Sequence, residues 1–174
     1  MSDDLKRIIS ETGAAFRADA SAAQAVFSSS SQLQEGLRSQ VSIRQHGLVV
    51  DEPPALGGTD AGPNPVELIL AALGTCQEIT YRAFAAALGI PLAGVSVKLD
   101  GDIDLRGFFA VDDSIRPGYQ KITGTVTLVS DAPVEKLEML KEAVDGHCPV
   151  LDMLRNPTPV ALSARFQQPA GTAA

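Results

Sequence analysis

The chain has 174 residues, close to the usual size of one domain, and is 45% hydrophobic with no Trp. Its core must therefore be built mainly from Ala, Val, Leu and Ile. A net charge of −7 argues against nucleic acid as the main partner and against an anionic membrane surface, since both need clustered Lys and Arg.

The opening Met-Ser-Asp-Asp-Leu-Lys-Arg has no apolar stretch behind its basic residues and does not read as a signal peptide. The most apolar segment, Val66 to Leu88, is interrupted by Glu67, Gln77, Glu78 and Arg82, so no membrane span is expected. A cytoplasmic location is the default. Cysteines there are more often reactive, metal-binding or simply buried than locked in a static disulfide.

In chain order, residues 2–21 read as a helix broken at Gly13, part of an N-terminal helical extension over residues 1–23. Residues 24–51 read as an antiparallel meander: a small-residue stretch at Val26 to Ser31, alternation in Val41-Ser42-Ile43-Arg44, and a strand at Leu48 to Asp51. Glu35-Gly36 and His46-Gly47 are the expected turns. A Gly- and Pro-rich loop, residues 51–65, precedes a sharply signalled helix. Asn64 is its N-cap, Pro65 its first residue and Glu67 the third position of a capping box. That helix runs to Leu88, where Gly89 supplies a left-handed stop and Pro91 prevents continuation. Its first half is apolar nearly all round, as in a helix buried through the middle of a domain or a dimer.

Val95 to Asp100 alternates as a strand, residues 101–120 are irregular, and Ile122 to Val129 is a further strand. Residues 133–144 form an amphipathic helix with Val134, Leu137, Met139, Leu140 and Val144 on its apolar side, ending at Gly146. A short helix starts near Pro149 and ends before Pro157. Val160 to Phe166 alternates as a last strand, and residues 167–174 read as a disordered tail. Hairpins without regular βαβ alternation indicate one α+β domain over residues 24–166.

Cys148 stands in Gly146-His147-Cys148-Pro149-Val150. With Pro149 at the first helical position, Cys148 falls at the N-cap, where free amides favour a thiolate. A buried cysteine in a helix-start loop is the other reading. Cys76 lies in the interior of the long helix, in Leu73-Gly74-Thr75-Cys76-Gln77-Glu78, far from either helix end. Taken alone it reads as a core cysteine, and as a nucleophile it would need a cation from elsewhere. Gly74 costs about 1 kcal/mol against Ala in mid-helix, so close packing or substrate room should compensate. The two Cys and two His have no metal-ligand spacing. Asp100, Asp102 and Asp104 lack the remaining positions of a calcium loop and read as a solvated edge. No cofactor is expected.

Two motifs taken together carry a resemblance. The first runs from Gly57-Gly58-Thr59-Asp60-Ala61-Gly62-Pro63-Asn64-Pro65-Val66-Glu67-Leu68 through the apolar helix to Leu73-Gly74-Thr75-Cys76. The second is His147-Cys148-Pro149-Val150, with Cys148 standing 72 residues after Cys76 (148 − 76). The sequence resembles the OsmC/Ohr family over roughly residues 24–166. The resemblance implies an OsmC-like fold, with antiparallel strands wrapped around a long buried central helix in an intertwined homodimer. It implies a thiol peroxidase: Cys76 attacks an organic hydroperoxide and becomes a sulfenic acid, Cys148 closes a disulfide, and a dithiol reductant reopens it. It also implies an Arg that stabilises the thiolate and a Glu that holds the Arg. Arg38 is preferred for the first role, with Arg44, Arg106 and Arg116 as alternatives. Glu67 is the candidate for the second, although Val66 occupies the family position directly after Asn-Pro. On one helix Glu67 and Cys76 point to opposite faces about 13 Å apart along the axis, so Glu67 could act only across a dimer. The alternative function is a non-peroxidatic relative binding a small apolar or sulfur-containing ligand at the dimer interface.

Overall fold

Residues 2–168 are described by the structure, a computed structural model; most of the expected C-terminal tail, from residue 169 onward, lies outside them. The first helix, α1 (Ser2–Ala18), continues unbroken through Gly13 and is followed by a 3-10 turn at Ala20–Ala23. A single mid-helix Gly costs too little to break a helix packed along a neighbour, and α1 lies against the long helix described below.

Three strands form the meander: β1 (Ser30–Leu33), β2 (Ser39–Ile43) and β3 (His46–Val50), in the order β1-β2-β3 and antiparallel. The second turn is not at His46-Gly47. Both residues pair inside the hairpin, Ile43 with His46 and Ser42 with Gly47, which leaves Arg44-Gln45 as the two-residue loop. Arg44 takes a left-handed φ of 54° there, as a tight hairpin loop requires.

Asp51 ends the meander and organises the loop after it. Its buried carboxylate accepts from the N–H of Glu52, the N–H and hydroxyl of Thr59, and the N–H of Ala61, at 2.6–3.2 Å. The loop folds so closely onto β3 and its end that a Cβ at Gly58 would lie 1.9 Å from the Glu52 carbonyl oxygen. One at Gly62 would lie 2.3 Å from that of Val49, so only glycine fits at either place.

Helix α2 (Pro65–Leu88) has the limits read from the sequence. Asn64 accepts from the Glu67 N–H at 2.9 Å, Glu67 returns its carboxylate to the Asn64 N–H at 2.8 Å, and Gly89 closes the helix at φ 67°. A two-stranded antiparallel sheet follows, β4 (Gly94–Ile103) with β5 (Tyr119–Val129), longer at both strands than the alternation implied. The short helix α3 (Leu105–Phe108) sits in the irregular stretch between them. Helix α4 (Val134–His147) runs past Gly146, and α5 (Pro149–Arg155) follows after the single residue Cys148.

The core gathers Tyr81 and Ala85 of α2, Ile90 and Leu92 of the following loop, and Leu140 and Val144 of α4, with Val95, Val126 and Leu128 of the sheet packed against them. Leu137, Leu140 and Val144 form the inward stripe of α4. Val134 and Met139, expected on that stripe, are 64% and 49% exposed: Met139 points away from it at 100° per residue, and Val134 is the first residue of the helix.

Two expectations fail within a single chain. The strand expected over Val160 to Phe166 does not form: residues 157–168 have no regular structure, and Val160, Leu162 and Phe166 are largely exposed. Alternation creates an apolar face but provides no strand to pair with, and no edge meets this segment. The first half of α2 is likewise not buried on most sides. Ile69 is 42% exposed, and further along Ile79 is 69% exposed.

Candidate active site

Cys76 comes from the middle of α2, and Cys148 is the hinge residue between α4 and α5. Packing of α2 against both shorter helices brings the two together. Their sulfurs lie 3.3 Å apart with both cysteines free, Cys148 fully buried and Cys76 partly so. A disulfide bond is ~2.05 Å long, so about 1.2 Å of approach would close it.

The two thiols stand in different surroundings from those their local sequence suggests. Cys148 occupies the N-cap position of α5 as expected, yet its side chain caps no amide. Its Sγ turns to Cys76. The Val150 amide, in the first turn of α5, acts on the Cys76 thiol instead and favours its thiolate. Pro149 has no N–H to offer, so Val150 carries the first amide of that helix. Thr80, one turn after Cys76, donates its hydroxyl to the Cys76 backbone carbonyl at 2.7 Å.

Burial is the largest influence on the Cys76 thiol and pushes it above its ordinary range. Cys148 pushes it the same way, as an acid competing for the same space. The Val150 amide and the Thr80 hydroxyl oppose them by favouring the thiolate. None of these groups brings a positive charge.

The other expected residues lie apart from the sulfurs. Arg38 is exposed in the β1–β2 turn, where its backbone N–H donates to the Glu35 carbonyl. Arg44 is exposed in the next hairpin loop. Arg106 is paired with Asp104 at 2.6 Å, and Arg116 lines the cleft between α2 and the β4–β5 sheet. Glu67 is engaged in the capping box. Thr80 and Val150 went unnoticed in the sequence. Thr80 was findable, because the fourth residue after Cys76 shares its helix face. Val150 was not, because nothing local says whose sulfur its amide meets.

A family model described as OsmC-like protein matches residues 58–163, more than half of the chain and including both cysteines. The chain belongs to the OsmC-like protein family. No curated protein matches it. Among solved structures it is similar to an OsmC-like protein of Mycoplasma pneumoniae, with a TM-score of 0.67 and 16% identity, over 77% of this chain and 90% of that one. It is similar to an organic hydroperoxide resistance protein OsmC of Legionella pneumophila, with a TM-score of 0.58 and 19% identity, over 76% and 92% of the two chains. An organic hydroperoxide resistance protein of Elizabethkingia anophelis with bound thiocyanate gives a TM-score of 0.59 and 16% identity, over 77% and 91%. At such identities the likeness is one of fold.

This OsmC-like chain carries an 870 Å³ cleft between α2 and the β4–β5 sheet, with Val66, Ile69, Leu73, Gln77 and Tyr81 of α2 along one wall and neither cysteine in its lining. Across it lies the sheet, with Val97, Leu99 and Val126. Among the described residues no cluster of His, Cys, Asp and Glu is suited to a metal ion, and no helix is long and apolar enough to cross a membrane.

Proposed function

We propose that this protein is a cysteine-based reductase of organic hydroperoxides. The observation that carries the reading is the 3.3 Å separation of the Cys76 and Cys148 sulfurs. Cys76 loses its proton and its thiolate attacks the distal peroxide oxygen. The O–O bond breaks, an S–O bond forms, and the alkoxide leaves as the alcohol after taking up a proton. The resulting sulfenic acid condenses with the Cys148 thiol, forming the disulfide and releasing water. A dithiol reductant returns both thiols by exchange and is itself oxidised to a disulfide. The buried, largely apolar surroundings of Cys148 and Cys76 would favour an alkyl hydroperoxide over hydrogen peroxide.

The working unit is an intertwined homodimer in this reading. The β1–β3 sheet has little cover on either face, the apolar residues of the 157–168 segment are largely exposed, and Ile69 and Ile79 of α2 are only partly covered by the described residues. A dimer also offers the route by which Arg38, or Glu67 from a second α2, would approach Cys76.

One observation favours the alternative, a non-peroxidatic binder of a small apolar or sulfur-containing ligand. Burial raises the Cys76 thiol and, among the described residues, no charged group is among the influences that lower it, which leaves less of it as thiolate.

Stopped-flow reduction of cumene hydroperoxide by wild type, Cys76→Ser and Cys148→Ser separates the readings. Peroxide consumption should vanish in Cys76→Ser. Cys148→Ser should retain one turnover and accumulate a sulfenic acid that dimedone traps. Equal rates in all three proteins would leave the ligand-binding reading.

A further inference from the structure

The hinge that carries Cys148 meets α2 through a pair of rings. The inward stripe of α4, Leu137, Leu140 and Val144, continues at the same spacing to His147, the last residue of that helix before Cys148. The Nδ1 atom of His147 lies 2.7 Å from the Ala143 carbonyl oxygen, one turn back. A carbonyl only accepts, so Nδ1 carries the proton and the bond fixes how the ring is turned. The ring packs on the half-buried Phe84 of α2, with centroids 5.2 Å apart and planes tilted by 37°. Phe84 stands two turns after Cys76, and Cys76, Thr80 and Phe84 at i, i+4 and i+8 lie along one side of the helix. The side of α2 that presents the Cys76 thiol therefore also carries the ring that receives His147.

Backbone bonds tie Cys148 to its own two helices. Its N–H donates to the Val144 carbonyl at 2.9 Å, and its carbonyl accepts from the Asp152 N–H at 3.0 Å. Neither bond reaches α2. Two contacts from the end of α4 and the hinge do: the Cys148 sulfur on that of Cys76 at 3.3 Å, and His147 on Phe84. The chemistry treats these two differently. Once Cys76 is a sulfenic acid an oxygen stands on its sulfur, and the contact between the sulfurs changes with it. The ring contact touches no reacting atom. Both rings belong to one chain, so the contact needs no second copy.

We infer that His147 and Phe84 are positioning residues for the resolving thiol, a ring-on-ring anchor that keeps Cys148 in front of Cys76 while Cys76 is oxidised and reduced. This rests on the reading that the two thiols close a disulfide. The anchor acts by raising the effective concentration of one thiol at the other.

Equilibration with glutathione measures that concentration without peroxide, so it can fail separately from the peroxidase reading. Glutathione disulfide takes the two electrons: the Cys76 and Cys148 thiols give their protons to two glutathiones and become joined. The ratio of closed to open protein, read by mass after alkylation over a series of glutathione ratios, gives the effective concentration. Phe84→Leu and His147→Ala should each lower it about fivefold, the worth of one aromatic pair. Both remove the same contact, so the double variant should fall no lower than the worse single one. Leu137→Ala, about three turns before the hinge, should lower Tm and leave the effective concentration unchanged. An unchanged value in His147→Ala would overturn the inference. So would losses that multiply in the double variant, or a loss of the same size in Leu137→Ala. A wild type that closes no Cys76–Cys148 disulfide at any ratio would overturn it together with the resolving step. A wild type that closes the disulfide, shows this pattern of variants and yet consumes no peroxide would support the anchor and sink the reductase.

Discussion

At the scale of the residue, neighbours in space set the chemistry of each acid. Asp51 shows this most simply. Its carboxylate collects donors from Glu52, Thr59 and Ala61, and the Thr59 hydroxyl does most to hold its pKa down, at about 2. An unfolded Asp titrates near ~3.9. Because the folded value is the lower one, the charged form stabilises the fold fully above pH ~4, and that contribution is lost as pH falls from ~4 towards about 2. Asp51→Asn should lower Tm at neutral pH, since an amide brings N–H groups to a site of converging donors. Thermal melts from pH 2 to 6 should show the gap to wild type widest above pH ~4 and closing below it. A gap independent of pH would assign the loss to shape rather than charge. The cysteines follow the same logic. The sequence around Cys148 contains a helix start, but the first amide of that helix favours the thiolate of Cys76. Local sequence names the donor without saying which acceptor will be in front of it.

At the scale of the element, α2 was the most legible part of the chain. Asn64, Pro65, Glu67 and Gly89 each act within a few residues of themselves, and each performs the role its type implies. Strand limits were less legible, because a strand extends as far as its partner does, and β4 and β5 extend each other through ten and eleven residues. Gly74 is the remaining oddity of α2. A Cβ there would meet Leu99 at 3.8 Å and Val97 at 3.9 Å, ordinary contacts that leave room for a methyl group. Gly74→Ala should therefore stabilise the helix, by up to about 1 kcal/mol in urea unfolding. Destabilisation instead would mean that a second chain approaches the backbone at this point.

At the scale of the whole molecule, several large apolar side chains remain uncovered in the single chain. Phe166 and Leu162 are more than nine-tenths exposed, as are Phe27 and Val26 to within a few per cent, and all flank strands or strand-like alternation. The dimer of the proposed function would cover such residues. Sedimentation equilibrium should find a dimer. Leu162→Asp with Phe166→Asp should weaken it, raising the monomer fraction at micromolar concentration. A wild-type chain that sediments as a monomer at every concentration would remove the dimer from the proposed function, and with it the route for Arg38.

The sequence by itself determined the α+β class, the OsmC-like family, the caps of α2 and the pair of cysteines worth attention. These depend on residue type, short spacing and two motifs in order. Only the tertiary structure decided that Cys76 and Cys148 stand 3.3 Å apart, that the Val150 amide favours the Cys76 thiolate, and that Val160 to Phe166 has no strand to join among the described residues. The reason is common to all three. Each is a contact between segments distant along the chain, and its outcome depends on how α2, α4, α5 and the sheets pack, which no local pattern of residues encodes.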